Sequence, residues 1–329
     1  MKQFHTLGAL WATTALLAGC ESVANIEPPA HTPRLSVAYT LSNQPRTAND
    51  QQFFDARNLY VSTSHSITET SAILGRADAT AQLLDATGQV VETFRPRGRS
   101  GYGSAPGDSL QGYYVPVRGY VGQPGQRYTL QVSAPGLPAI EATLALPAPA
   151  TVEAGSFAPD PAANQYQFRG RLAFTIADNA AATDYYLAYA RLLDAAGQPW
   201  GPVQQDYASR NNEGIDLRLN RFDLSEPGNY YRRLPVSDAG RNGQRLSFGA
   251  DVTAYPYGGT GQPGQLPPAY LEVIVSSIPA ETYQFYQSVQ RYYDTDGNPF
   301  AEPAPLRSNV ANGYGLFAGA TDTRLRIKL

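Results

Sequence analysis

The sequence predicts a mainly β protein made of two β-rich domains, the second of which carries one helix. Hydrophobic residues alternate with polar ones over short runs, as at Leu35, Val37 and Tyr39, and this period of two is typical of a half-buried strand. The chain also contains 30 glycines and 26 prolines. Many short strands separated by turn residues favour sandwiches or barrels over helical folds.

Strand-like alternation recurs in both halves of the chain. Two further runs show it: Tyr128, Leu130, Val132 and Leu172, Phe174, Ile176. A short internal similarity relates Leu83–Gln89 to Leu192–Gln198. Either a duplicated domain or two hairpin turns of one kind would explain it, and we favour the hairpin turns.

The best domain boundary is Leu146–Pro149, where two prolines bracket a small residue and favour an extended connection. We therefore predict a sandwich of immunoglobulin or transthyretin type over residues 34–147. A larger β domain would follow over residues 148–329.

One helix is predicted near residues 279–293. Pro279 suits the first turn of a helix. Three hydrophobic residues recur with helical spacing and predict one buried stripe: Phe285, Val289 and Tyr292. The polar run Asp294–Gly297 would end the helix.

The N-terminal residues predict secretion and attachment to a membrane through Cys20. A basic start and an apolar stretch from Leu7 to Leu17 are typical of a secretory signal rather than a membrane span. The stretch ends in Leu-Ala-Gly-Cys, and Cys20 is the only cysteine of the chain. This run resembles the lipobox of bacterial lipoproteins, whose cysteine is acylated, with palmitate among the acyl chains, and becomes the new N-terminus. We predict a signal peptide at residues 1–19 and a proline-containing tether at residues 20–33; the alternative for Cys20 is a small hydrophobic residue in a leader helix.

Composition argues against several classes of protein. Loss of Lys2 with the leader would leave 24 of the 25 basic residues against 28 acidic ones, and no basic block supports a nucleic-acid partner. The absence of a second cysteine excludes an intramolecular disulfide and a thiolate metal site. No later segment approaches about 18 consecutive apolar residues, the length that predicts a membrane-spanning helix.

The sequence predicts no catalytic residues, no cofactor and no metal site, so we expect a protein that is not an enzyme. Beyond the leader the histidines are His31 and His65, and a surface imidazole is a better interpretation of His65 than a serine triad or a zinc site. The run Asp294–Asn298 alternates oxygen donors, but Pro299 stands where an EF-hand loop needs glycine. A looser oxygen site with Glu302 stays open, as does a hydrolase built on two carboxylates.

Tyrosine is abundant, with 22 residues in the chain. Four adjacent pairs stand out: Tyr113-Tyr114, Tyr185-Tyr186, Tyr230-Tyr231 and Tyr292-Tyr293. Neighbours on a strand point to opposite faces, so one of each pair would be exposed for sugar stacking or a protein interface. Packing within half-buried sheets is the alternative, and we favour it.

The C-terminal stretch contains two distinctive runs, Asn298–Pro303 and Ser308–Gly319. They resemble the signature of an uncharacterised lipoprotein family of Bacteroidota-type bacteria, domain of unknown function 4249. Val236–Asp238 together with Asn242-Gly243 is similar to the central motif of the family. In all, the similarity covers most of the chain after the leader.

The resemblance implies an outer-membrane lipoprotein, often encoded beside a TonB-dependent transporter, and it supplies no catalytic residues. We therefore expect a protein anchored to the cell envelope by a lipid on Cys20. It would be a non-catalytic binding or accessory subunit of an outer-membrane uptake system, with a glycan or a peptide as ligand. The alternatives are a structural or adhesive envelope protein and, less favoured, a carboxylate-based hydrolase. The ligand, the membrane face and the oligomeric state stay undetermined at this level.

Overall fold

The computed structural model describes residues 30–45, 58–66, 69, 71, 73–97, 112–163, 168–215, 217, 235–254, 267–295 and 304–329. The chain divides into two compact units, Met1–Thr32 with Ser66–Thr70 and Pro33–His65 with Ser71–Leu329. All strands and the helix reported below belong to the second unit. The predicted signal peptide, most of the predicted tether and Cys20 itself lie outside the described residues.

The described residues form sixteen strands and one helix, which confirms the predicted mainly β class. The helix α1 spans Ala280–Thr295. The strands are β1 (Leu35–Ser42), β2 (Leu59–Thr63), β3 (Thr80–Leu84), β4 (Val90–Pro96), β5 (Tyr113–Pro116), β6 (Arg127–Ser133), β7 (Ile140–Ala145), β8 (Thr151–Pro159), β9 (Phe168–Ala177), β10 (Tyr185–Asp194), β11 (Pro199–Gln205), β12 (Val236–Ser237), β13 (Arg245–Ala254), β14 (Pro268–Ser277), β15 (Val310–Ala311) and β16 (Tyr314–Lys328).

Hydrogen bonds join these strands into one continuous mixed sheet. The order is β15-β7-β6-β3-β4-β5-β2-β1-β16-β14-β10-β11-β13-β9-β8, and β12 pairs with β10 off this path. The named strands pair antiparallel except for β1 and β16, which run parallel. β16 holds the two halves of the path together, because its first residues pair with β1 and its later residues pair with β14.

Two hydrophobic clusters lie on the two sides of β16 in the strand order, one on each side. The first is built from β1 to β7 and includes Phe317 of β16. The second is built from β9, β10, β11, β13 and β14, and Leu325 and Ile327 of β16 pack against it. The boundary predicted at Leu146–Pro149 falls between β7 and β8. Both sides of it belong to the same compact unit, so the two-domain division stays a prediction.

The three alternating runs found in the sequence are β1, β6 and β9. The hydrophobic residues predicted to face inward are at most 6 % exposed: Leu35, Val37, Tyr39, Tyr128, Leu130, Val132, Leu172, Phe174 and Ile176. Period-two patterning therefore identified the buried face of each strand.

The two similar seven-residue segments are both hairpin turns, joining β3 to β4 and β10 to β11. The Asp85 amide donates to the Gln89 carbonyl oxygen at 3.0 Å, and the Asp194 amide donates to that of Gln198 at 2.9 Å. The glycine before each glutamine has a φ of 82° and 76° respectively, a left-handed conformation that favours glycine. Shared turn chemistry accounts for the similarity.

Helix α1 packs against the sheet at β10 and β16 and confirms the helix predicted at 279–293. Its buried residues are Thr282, Phe285, Tyr286 and Ser288. Val289 packs beside Phe285, but the stripe prediction is wrong for Tyr292, which is 41 % exposed. In the last turn the half-buried residue is instead Tyr293, four positions after Val289. Helix α1 is too short and too polar to span a membrane.

A buried ion pair lies among three neighbouring strands. Glu272 on β14 is directly opposite Arg191 on β10 and Arg326 on β16. Its carboxylate accepts hydrogen bonds from Arg191 Nε at 2.7 Å and Arg326 Nε at 2.9 Å, and Glu272 is completely buried. A buried charge needs this pairing, and a one-residue slip of either neighbouring strand would remove it.

Candidate functional site

Three aspartates meet at one end of the strands that form the second hydrophobic cluster. Asp178 follows β9, Asp184 precedes β10 and Asp238 follows β12. One carboxylate oxygen from each lies within 4.8 Å of the other two. We call this group the aspartate cluster.

Two loops carry the aspartate cluster: the 178–184 loop between β9 and β10, and the 238–244 loop between β12 and β13. Backbone hydrogen bonds tie them together, from the Asp238 amide to the Asp184 carbonyl oxygen and from the Asp178 amide to the Gln244 carbonyl oxygen, both at 3.2 Å. Pairing of β12 with β10 places Ser237, the neighbour of Asp238, opposite Tyr185. The positions of the carboxylates therefore follow from the strand register.

Gly243 allows the two loops to approach each other. Its φ is 76°, and a Cβ added there would lie 2.8 Å from the Cβ of Ala180. Its amide donates to Asp178 Oδ2 at 2.8 Å. A larger residue would separate the loops at the point where Asp178 is held.

The three carboxylates differ in their surroundings. Asp178 Oδ1 accepts a hydrogen bond from the Tyr186 hydroxyl at 2.7 Å. Asp238 Oδ2 accepts one from the Asp184 amide at 3.0 Å. Asp238 is completely buried, and its Oδ1 has no hydrogen-bond partner among the residues that the structure describes. Asp178 and Asp184 are half-buried, so the cluster has one closed side and one side that reaches solvent.

Electrostatics disfavour three negative charges at this position. Burial raises the pKa of Asp238, and both the charge of Asp178 and a hydrogen bond between the two side chains raise it further. Burial also raises the pKa of Asp184, with the charges of Asp178 and Asp238 adding to it. Within the described residues, no arginine, lysine or histidine forms an ion pair with any of the three. Each effect makes the charged cluster unstable unless a positive charge joins it.

Three carboxylates so close together form the oxygen-rich donor set that a hard divalent cation prefers. They suit hydrolysis less well, because a glycosidase needs two carboxylates that both reach the substrate and Asp238 is shielded from solvent. The aspartate cluster is therefore a candidate binding site rather than a catalytic one.

A second polar feature is an open cavity of about 640 Å³ lined by residues of β8, β9, β11 and β13. Four of its five charged side chains form two ion pairs, Arg169 with Asp160 and Arg171 with Asp251, each at 3.2 Å, and the fifth is Asp206. Asp251 also accepts a hydrogen bond from the Ser209 hydroxyl at 2.6 Å. The cavity thus offers many hydrogen-bonding groups, with one more acidic than basic side chain in its lining.

Of the residues considered in the sequence for catalysis, metal binding or lipid attachment, the described ones, Asp294 and His65, are not members of this cluster. Cys20 lies outside the described residues, as do Asp296 to Glu302 of the loop considered for calcium. Asp294 is exposed in the last turn of α1, and His65 follows β2 in a half-buried position. The expectation of no metal site stays a prediction, and the aspartate cluster is a candidate that the sequence analysis did not consider.

Two of the tyrosine pairs lie on described strands. Tyr114 and Tyr186 are at most 2 % exposed, whereas Tyr113 and Tyr185 are half-buried. The ring of Tyr185 stacks on that of Tyr283 in α1, with ring centroids 4.3 Å apart. In these two pairs packing explains the tyrosines, while Tyr230-Tyr231 lies outside the described residues.

Sequence reasoning missed the aspartate cluster because Asp238 is 54 positions from Asp184, and no local spacing connects them. One signal was present: Val236–Asp238 and Asn242-Gly243 resembled the central motif of a family. In the structure both segments belong to the site, since Asp238 is a member of the cluster and Gly243 holds Asp178.

Comparison with known families confirms that resemblance. Residues 25–326 match the domain of unknown function DUF4249, and the chain belongs to this family. Comparison with curated proteins gave no match.

Proposed function

We propose that this chain is a lipid-anchored protein of the bacterial cell envelope, acting as a non-catalytic binding or accessory subunit of an outer-membrane uptake system. The observation that carries the proposal is the run Leu17–Cys20, with a single cysteine after an apolar leader. Stable anchoring needs two or more acyl chains, which lipoprotein processing would supply. Membership of the family is in line with this role, because the resemblance implies outer-membrane lipoproteins of Bacteroidota-type bacteria.

The β scaffold supports a binding role. Its open cavity of about 640 Å³ carries paired charges and exposed polar groups, and hydrogen-bonding groups of this kind suit a ligand rich in hydroxyls or amides. A glycan or a peptide has that chemistry.

The anchor is tested by the variant Cys20→Ser in the bacterium that carries the protein. Wild type should fractionate with the outer membrane, and its mature N-terminal peptide should carry acyl chains by mass spectrometry. C20S should lose both properties, whereas Ser22→Ala, two positions away, should keep both. An unacylated wild-type protein, or unchanged membrane location of C20S, would refute the anchor.

The accessory role needs a separate test. The tagged wild-type protein, solubilised from outer membranes in mild detergent, should co-purify with a TonB-dependent transporter. C20S should recover less of it, because it is not held at the membrane. Recovery of acylated protein without any transporter would leave the anchor intact and refute the accessory role.

A further inference from the structure

Among the residues that the structure describes, no positive charge balances the aspartate cluster. Asp178, Asp184 and Asp238 bring their carboxylate oxygens within 4.8 Å of one another. In the part of the chain that the structure describes, no basic side chain pairs with them. This is unlike Glu272, whose buried carboxylate is paired with two arginines.

Asp238 supplies a second and independent observation. It is completely buried, it belongs to the cluster, and its Oδ1 accepts no hydrogen bond from the described residues. Buried carboxylate oxygens are normally hydrogen-bonded or coordinated, because an unpaired one carries the full cost of leaving water. The unused oxygen therefore points to a missing ligand of the site.

The spacing of the oxygens fits a calcium ion. Calcium–oxygen bonds of 2.3–2.6 Å place oxygens on opposite sides of the ion roughly 4.6–5.2 Å apart. Three oxygens within 4.8 Å of one another are close to this range, so small side-chain shifts would bring all three to one ion. Magnesium demands shorter bonds of about 2.0–2.1 Å and near-ideal octahedral geometry, which the irregular arrangement of two loops favours less.

We propose that Asp178, Asp184 and Asp238 bind a calcium ion that links the 178–184 loop to the 238–244 loop. The ion contributes two positive charges against three negative ones. The remaining coordination positions face the half-buried Asp178 and Asp184, where water completes the shell. Hydrogen bonds from Tyr186 and Gly243 orient the Asp178 carboxylate for this role, as outer-shell donors do at metal sites.

The site is independent of the lipid anchor and of any transporter. It acts on the fold, because the ion ties the start of β10 to the segment that leads into β13. A proton shared between two carboxylates is the competing explanation of the unpaired oxygen, and it needs no metal.

The experiment uses purified full-length protein in detergent, with calcium alone as the probe. Thermal unfolding of wild type in 1 mM CaCl₂ should occur about 5 °C higher than in EGTA, and calorimetric titration should give one site per chain. Magnesium at the same concentration should produce a clearly smaller shift. Terbium bound in place of calcium should show tyrosine-sensitised luminescence, because Tyr186 touches Asp178.

Single substitutions show which residues bind the ion. Asp238→Asn and the half-buried Asp184→Asn should each abolish the calcium shift and the terbium signal. Asp322→Asn is the matched control: Asp322 is also buried, but it accepts hydrogen bonds from Ser42 and Ser276 away from the cluster. D322N should unfold at a lower temperature and keep the calcium shift.

Three results would overturn the proposal. If calcium does not raise the unfolding temperature of wild type, and D238N is more stable than wild type without metal, the cluster holds a shared proton and no ion. Calcium shifts that persist in both D238N and D184N would place the ion elsewhere. An equal response to magnesium would refute the assignment to calcium. Should D238N fail to fold, D184N decides the outcome.

Discussion

The side chain of Asn309 forms two hydrogen bonds with the backbone of Phe317. Its Nδ2 donates to the Phe317 carbonyl oxygen at 2.8 Å, and its Oδ1 accepts from the Phe317 amide at 2.9 Å. Phe317 is completely buried in the first hydrophobic cluster. The amide of Asn309 thus satisfies both backbone groups of a residue that water cannot reach.

Replacement of Asn309 by alanine should lower the free energy of unfolding by about 1–3 kcal/mol, because it leaves two buried backbone groups unpaired. Urea unfolding followed by circular dichroism measures this. Asn179→Ala is the control: Asn179 Oδ1 accepts only the exposed Ala181 amide, so its loss should be smaller. Equal losses in the two variants would contradict the role assigned to Asn309.

A substitution at Gly315 tests how closely β1 and β16 approach each other. Its φ is 106°, and an added Cβ would overlap the carbonyl oxygen of Val37. Gly136 has a φ of 76° but nothing within 4 Å of such a Cβ. Gly136→Ala should therefore lower the free energy of unfolding by about 1–2 kcal/mol, and Gly315→Ala by at least about 3 kcal/mol, because overlap adds to the strain. A G315A loss no larger than that of G136A would argue against the parallel pairing.

Replacement of Glu272 by glutamine should lower the free energy of unfolding by about 3–5 kcal/mol, because Arg191 would stay buried without its counter-charge. The control is Glu153→Gln, which breaks the exposed ion pair with Arg245 and should have little effect. Denaturant unfolding at pH 7 compares them. A loss in E272Q as small as that in E153Q would show that Arg191 finds another partner.

Glu272 should also make stability depend on pH. Burial alone would raise the pKa of Glu272, but the charge of Arg191 and hydrogen bonds from Arg326 and Arg191 outweigh it and hold the pKa below its ordinary value of 4.5. A lowered pKa in the folded state stabilises the protein above pH 4.5, and this contribution is lost as the pH falls through the folded-state pKa. The difference in stability between wild type and E272Q should therefore be constant from pH 7 to pH 5 and shrink below pH 4.5. A difference that stays unchanged down to pH 3 would contradict this linkage.

Much of the fold was predictable because local sequence patterns determine it. Alternation identified the buried faces of β1, β6 and β9, and turn chemistry identified the hairpins after Asp85 and Asp194. The helix was found at the expected place, although its stripe was assigned to Tyr292 instead of Tyr293. Helical spacing shows which residues share a face of the helix, but it does not show which face packs against the sheet.

The aspartate cluster was not predictable in the same way. Its members come from three segments, and only the pairing of β10 with β12 brings Asp238 to Asp184. That pairing is a tertiary contact, and the hydrophobic periodicity of the sequence does not predict tertiary contacts. The pairing of β1 with β16 escaped prediction for the same reason.

The parallel pair of β1 and β16 has a consequence for the order of events in the cell. Ser42 and Asp322, 280 positions apart, share a hydrogen bond, so the first hydrophobic cluster lacks its closing strand until the ribosome has made nearly the whole polypeptide. Contacts between such distant residues also slow folding. Full packing of this cluster therefore follows the synthesis of the C-terminal strand, whichever of the other strands pair first.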